Sequence, residues 1–195
     1  MKRTLVIAGV LVWLLAACGG GGGKKTTAET AATSAPTTSS PAASSTTVAP
    51  AGSTTPVSIA VTHPTAHLVA VRAARQTGSD RVVFEFEEQV PGYRVAYATS
   101  PVMNTAGKEV TVAGTAKLVV RMEQAGGVDL SGANPQTTYD GPSRITPQGT
   151  AQVQELARVE DFEAVLSWVL GVRTTTPFRV TTLASPPRLV IDVSG

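Results

Sequence analysis

Arg81-Val-Val-Phe-Glu-Phe-Glu87 decides the fold. Val82, Phe84 and Phe86 alternate with polar neighbours, the period-two pattern of a strand that buries one side. Upstream, His67-Leu-Val-Ala-Val-Arg-Ala-Ala-Arg75 is equally β-compatible, and Thr77-Gly-Ser-Asp80 supplies turn residues. The two runs therefore read as a hairpin closed by a four-residue turn. Outward from it come Tyr93–Tyr97, Glu109–Val112, Lys117–Met122, Ala151–Val159, Val165–Val172, Phe178–Leu183 and Arg188–Val193, separated by Gly, Pro, Asn or Asp. Nine short segments with such punctuation predict an all-β fold, an antiparallel sandwich or barrel. Between Asp161 and Val172 the set Phe162, Val165, Leu166 and Val169 also suits one helix face, but an internal repeat favours a strand.

That repeat relates Tyr93-Arg94-Val95, followed by Ser100-Pro101, to Phe178-Arg179-Val180, followed by Ser185-Pro186, at a constant offset of 85 residues. Upstream, Val83-Phe-Glu-Phe86 matches Val165-Leu-Ser-Trp168, which gives the second copy a loop three residues longer. A duplicated strand-loop-strand unit is expected, each copy directing its Arg outward and feeding one sheet of a β-sandwich.

The N-terminus has a different character. Lys2 and Arg3 precede an apolar run from Leu5 to Leu15, which ends in Leu15-Ala-Ala-Cys18. A charged start, a short apolar core and small residues before a cut site define a secretory signal. The run falls short of the roughly 20 apolar residues that span a bilayer. Leu-Ala-Ala-Cys resembles the bacterial lipobox, and the resemblance implies that Cys18, the only cysteine, receives a diacylglycerol and becomes the first residue after cleavage. Residues 1–18 then form a lipoprotein signal peptide, and acyl chains anchor the chain to the extracytoplasmic face of the membrane without spanning it. Of the 31 residues from Thr26 to Pro56, 28 are Thr, Ser, Ala or Pro. Residues 19–56 are therefore expected to be a disordered tether, with ends on the order of 35 Å apart. Residues 57–195 are left for one domain.

Charge excludes one class of partner. The whole chain carries a formal charge of +2, but from Ala66 to Gly195 there are 12 Lys and Arg against 13 Asp and Glu. Nucleic-acid binding needs a clustered cationic face, and this balance offers none.

A family resemblance covers about Ala66 to Gly195. The run from Arg81 through Pro91-Gly-Tyr-Arg-Val95, the strand Lys117-Leu-Val-Val-Arg121, the segment Arg158-Val-Glu-Asp-Phe-Glu163 with Trp168, and the ending Pro177-Phe-Arg-Val180 with Pro186-Pro-Arg-Leu-Val-Ile-Asp-Val193 are similar to the AMIN-like domain of bacterial envelope lipoproteins. The resemblance implies a β-sandwich, a targeting or peptidoglycan-associating role in the envelope, and no enzymatic activity of the domain itself.

The residues agree with that expectation. A zinc amidase needs His and Glu ligands around an open position, whereas His63 and His67 read as exposed linker histidines with Pro64 between them. No Gly-x-Ser-x-Gly elbow with a placed histidine occurs. The carboxylates Glu85, Glu87, Glu88, Asp161 and Glu163 are available for glycosidase chemistry, but Glu85 and Glu87 read as a solvated strand face. Neither cofactor nor metal is expected, and the domain is expected to be monomeric. Binding candidates come from two places. Tyr139 and Arg144, in the aperiodic stretch Gly126–Thr150, are placed to stack on and hydrogen-bond a sugar or peptide. Arg94 and Arg179, related by the repeat, are candidates to pair with glycan-peptide carboxylates on a shared surface, or simply with Glu85 or Asp192. Peptidoglycan is the expected partner; an envelope enzyme or machine recruited through a sheet edge or the long loop is the second reading, and an orphan cell-wall hydrolase a third.

Overall fold

The computed structural model describes residues 52–60 and 62–195. The signal segment, Cys18 and most of the tether lie outside the described residues.

Among the described residues the chain is all strand and loop: β1 (Val57–Ile59), β2 (Ala66–Gln76), β3 (Ser79–Phe86), β4 (Gly92–Tyr97), β5 (Ala116–Glu123), β6 (Ala125–Gly126), β7 (Val128–Asp129), β8 (Gln136–Thr137), β9 (Arg144–Ile145), β10 (Val153–Phe162), β11 (Val165–Val172), β12 (Phe178–Ala184) and β13 (Pro187–Ser194). One sheet runs β12-β13-β3-β2-β6 and the other β1-β4-β5-β11-β10-β9, with β7 and β8 forming a small ribbon. All long strands pair antiparallel, which confirms the expected sandwich. Val82, Phe84 and Phe86 face inward as their alternation requires, against Leu118, Val120, Leu166, Trp168 and Ile191.

The hairpin turn is tighter than expected. Gln76 pairs with Ser79, so only Thr77 and Gly78 lie outside the ladder, and Gly78 takes φ of +76°. Ser79 and Asp80 belong to β3. At the other end, Gly52 and Ser53, read above as tether, lie on the domain: Ser53 exchanges two backbone hydrogen bonds with Phe178, at 2.9 and 3.0 Å.

The duplication is larger than the sequence match. Leu189 pairs with Phe84 in one sheet and Leu118 with Leu170 in the other. Likewise Tyr93 pairs with Met122, and Phe178 with Val193. Mapping β2, β3, β4 and β5 onto β10, β11, β12 and β13 turns the order β12-β13-β3-β2 into β4-β5-β11-β10. Each copy is thus two hairpins, one in each sheet, so the expectation that each copy feeds one sheet is corrected. The counterpart of Phe84 in the second copy is therefore Leu170 rather than Leu166, and the loops 87–91 and 173–177 are equally long rather than differing by three residues. The error arose because β11 is buried on both faces, which erases the alternation that would fix its register.

What buries the outer face of β11 is the loop 98–115. The Glu109–Val112 strand predicted there is absent, apart from one bridge between Met103 and Glu109. Instead Val102 and Val110 pack on Ala157 and Val169, with Val112 and Val119 beside them. The loop crosses so close to β11 that a Cβ on Gly171 would lie 1.9 Å from the Ala113 carbonyl oxygen. Glycine is needed there for space. The helical alternative fails too: Leu166 faces the sandwich core, Val169 faces the loop, and Phe162 faces solvent.

Candidate functional site

Residues 124–152 are inserted between the two copies, and they build a cleft at one end of the sandwich. The chain leaves β5 through Gln124, and β6 then pairs parallel with the start of β2. The β7–β8 ribbon follows, while the two-residue turn Glu163-Ala164 between β10 and β11 closes the far wall. The enclosed space is about 810 Å³, walled by Pro64, Val128, Leu130 and Phe162 and rimmed by Asp129 and Glu163.

Two features separate this cleft from ordinary surface. Leu130 is 73% exposed and Phe162 60% exposed, apolar groups that the core does not use. Gln124, Glu163 and Ala164, with φ of 55°, 50° and 58°, are the positive-φ residues other than glycine among those described. The Ala164 carbonyl accepts from Ala125 N and the Gln124 carbonyl from Ala66 N, at 3.0 and 2.8 Å, so neighbouring strands hold both strained turns. Backbone held off its favoured regions costs on the order of 1–3 kcal/mol per residue and clusters at binding sites.

The polar groups divide into fixed and open ones. Asp161 accepts from Gly127 N at 3.1 Å and from Arg158 Nη1 at 3.0 Å, anchoring the insertion. Asp129 Oδ1 accepts from Ser131 N at 2.8 Å, and this bond, with the Ser131 side chain and His67 adding to it, holds the carboxyl below its usual range. His67, which opens the β-compatible run, is the second residue of β2, but its side chain, expected to be exposed, is only 13% so. Glu87 Oε2 and Glu88 Oε2 lie 3.6 and 3.7 Å from its Nδ1, and Asp129 Oδ1 lies 3.5 Å from its Nε2. His63 remains exposed.

The four predicted binding residues do not come together. Tyr139 is buried, its ring edge-on to Trp168 at 5.9 Å, and its hydroxyl donates to the Pro142 carbonyl at 2.9 Å. Burial also pushes that hydroxyl's pKa up. Arg144 is engaged by Glu155 and donates to the Thr111 carbonyl at 2.9 Å. Tyr139 thus packs in the core beside Trp168, and Arg144 is held in an ion pair. Arg94 and Arg179 are exposed and make no ion pair among the described residues, but β4 and β12 put them on opposite outer faces. The expected shared surface does not exist. Asp192, the cross-strand partner of Arg179, is instead held by Arg81 at 2.7 and 2.9 Å, and Glu85 pairs with Arg72 at 2.8 Å. The residues that sequence reasoning missed are Leu130 and Phe162. Phe162 carried a signal, an aromatic side chain directly before a turn, whereas Leu130 lies in an aperiodic stretch that carried none.

The described residues thus form an antiparallel sandwich with an apolar cleft that Asp129 and Glu163 also line. A family model described as the AMIN-like domain matches residues 66–195, and the chain belongs to that family. AMIN-like domains are generally non-catalytic, extracytoplasmic modules, associated at the family level with peptidoglycan or with proteins of the envelope. No curated protein and no solved structure matches the chain.

Proposed function

We propose that the protein is a lipid-anchored binding module, held at the membrane through Cys18 and binding peptidoglycan in the cleft between Leu130 and Phe162. The observation that carries this reading is the pair of exposed apolar side chains beside strained, strand-held turns. An open aromatic ring offers its face to sugar C–H groups, and the rim carboxylates Asp129 and Glu163 accept hydrogen bonds from hydroxyls or amines. Arg94 and Arg179 serve as auxiliary contacts to stem-peptide carboxylates, each acting singly on its own face. The full chain in detergent is expected to sediment with isolated sacculi at low salt, and Phe162→Ser with Leu130→Ser to reduce the pelleted fraction at least about fivefold, the loss of one to two kcal/mol of apolar contact. Both residues are exposed, so the variants keep the fold, and undiminished pelleting refutes the cleft. Cys18→Ala is expected to move the protein from the membrane to the soluble fraction.

A second reading has its own observation. Beyond Phe178, the outer edge of β12 has no strand partner among the described residues, and Val180-Thr-Thr-Leu-Ala184 contains neither the charge nor the proline that guards edge strands. An envelope protein adding a strand there makes the domain a recruiting module.

A further inference from the structure

The surroundings of His67 are those of a metal ligand. The backbone brings them together: Ala66 N donates to Gln124 O, and Glu87 N donates to His67 O at 3.0 Å, which holds the end of β3 beside the start of β2. The chain bends immediately after β3, so that consecutive carboxylates, which a strand would send to opposite sides, converge on one ring nitrogen. The ligand atoms of His67, Glu87 and Glu88 all lie within 4.8 Å of one another. On the far side of the ring, Asp129 faces Nε2. A cation bound at Nδ1 would leave the ring proton on Nε2, where it faces the Asp129 carboxylate, while Nδ1 faces the two glutamates. Charge points the same way. Three carboxylates surround one imidazole, and none of the three has a Lys or Arg ion-pair partner among the described residues.

We propose that His67 Nδ1, Glu87 and Glu88 bind a divalent transition-metal cation, Zn²⁺ by ligand type, with Asp129 orienting the ring from behind. One imidazole with two carboxylates suits Zn²⁺ better than Ca²⁺ or Mg²⁺, which take all-oxygen sets. Three protein ligands leave at least one coordination position for water or a ligand atom. Because Asp129 and His67 also line the cleft, the ion would fix the cleft wall.

The test is calorimetric titration of Zn²⁺ into the untagged full chain, all variants carrying Cys18→Ser so that no free thiol competes. The wild-type site is expected to saturate at one equivalent, and His63→Ala to leave this unchanged. His67→Gln is expected to abolish binding, Glu87→Gln with Glu88→Gln to do the same, and Asp129→Asn to weaken it about tenfold or more. Glu87 and Glu88 are exposed, so their variant reports on the metal even if His67→Gln unfolds. A thermal melt gives a second readout, since Zn²⁺ raises the melting temperature of any chain that binds it when folded. The proposal is overturned by the absence of saturable Zn²⁺ binding, by binding that survives loss of both glutamates, or by Ca²⁺ binding more tightly than Zn²⁺.

Discussion

Asp80→Ala is expected to cost the domain about 3–5 kcal/mol, a large share of what a domain of this size has. Asp80 is fully buried, at 0% exposure, yet ionised. Its carboxylate accepts from the backbone N–H groups of Ala151, Gln152 and Val153, which lead into β10 in one sheet, while Asp80 itself belongs to β3 in the other. Arg75 Nη1 donates to it at 3.0 Å and, through Nη2, to the carbonyl of Gly195 at 2.9 Å. One side chain thus latches both sheets and the C-terminus. Alanine leaves three amides without an acceptor, each costing about 1–3 kcal/mol where water cannot replace it. Asparagine does little better, since its NH₂ group faces donors. The same geometry fixes the pH dependence. Burial raises the pKa of Asp80, but the amides of Val153, Gln152 and Ala151 and the Arg75 guanidinium outweigh it, so the folded value lies below the usual one. A depressed folded pKa contributes stability that is complete above the unfolded value, about 3.9, and is lost as pH falls toward the folded one. Urea titrations should show the wild type's advantage over Asp80→Asn at full size near pH 6 and shrinking below about pH 4. A constant gap across that range contradicts an ionised latch.

Trp168→Ala is the second large effect, expected at about 3–5 kcal/mol. Trp168 is fully buried in β11, where the two sheets meet. Phe84 approaches its ring edge-on at 6.0 Å from β3, and Tyr139 does so at 5.9 Å from the inserted loop. Truncation therefore opens a cavity shared by both sheets and the insertion. The indole Nε1 is buried without a hydrogen-bond partner among the described residues. Trp168→Phe removes no hydrogen bond and keeps an aromatic ring in place, so it should lose less than half as much. Equal losses for the two variants in urea denaturation contradict the packing account.

Both residues show how far the sequence could be read. Alternation marks β3, β4 and β12 because each has an exposed face, and the outward turn of Arg94 and Arg179 goes with it, whereas β13, buried from Leu189 to Val193, is legible only as an apolar run after Pro186-Pro187. In β11 that signal vanishes, since Val102 and Val110 of a distant loop cover the face that water would otherwise occupy. Val110 and Val112 explain why Glu109–Val112 looks like a strand: they are apolar because they cap a sheet. The full duplication was in plain view, as Lys117-Leu-Val-Val-Arg-Met122 against Arg188-Leu-Val-Ile-Asp-Val193, but at an offset of 71 rather than 85. The difference is the long loop 98–115, whose counterpart is the tight turn at Ser185-Pro186.

The candidate site was less legible because the cleft lies in the part without a repeat. Tyr139 and Leu130 sit in one aperiodic stretch, and no local pattern says which of the two is buried. Asp80 has the composition of a turn residue, and its role as a latch depends on amides 71 to 73 positions away. His67 was misread because its partners come from the end of β3 and from β7, contacts that exist only once the sandwich has formed.

The claim that the cleft is the binding surface is tested most directly by following backbone amide resonances of the ¹⁵N-labelled full chain while soluble muropeptides are added. Saturable shifts should appear at Val128–Ser131 and Phe162–Ala164 and vanish in the Phe162→Ser, Leu130→Ser variant. Shifts confined to the β12 edge at Val180–Ala184, or no shifts at all, would contradict it.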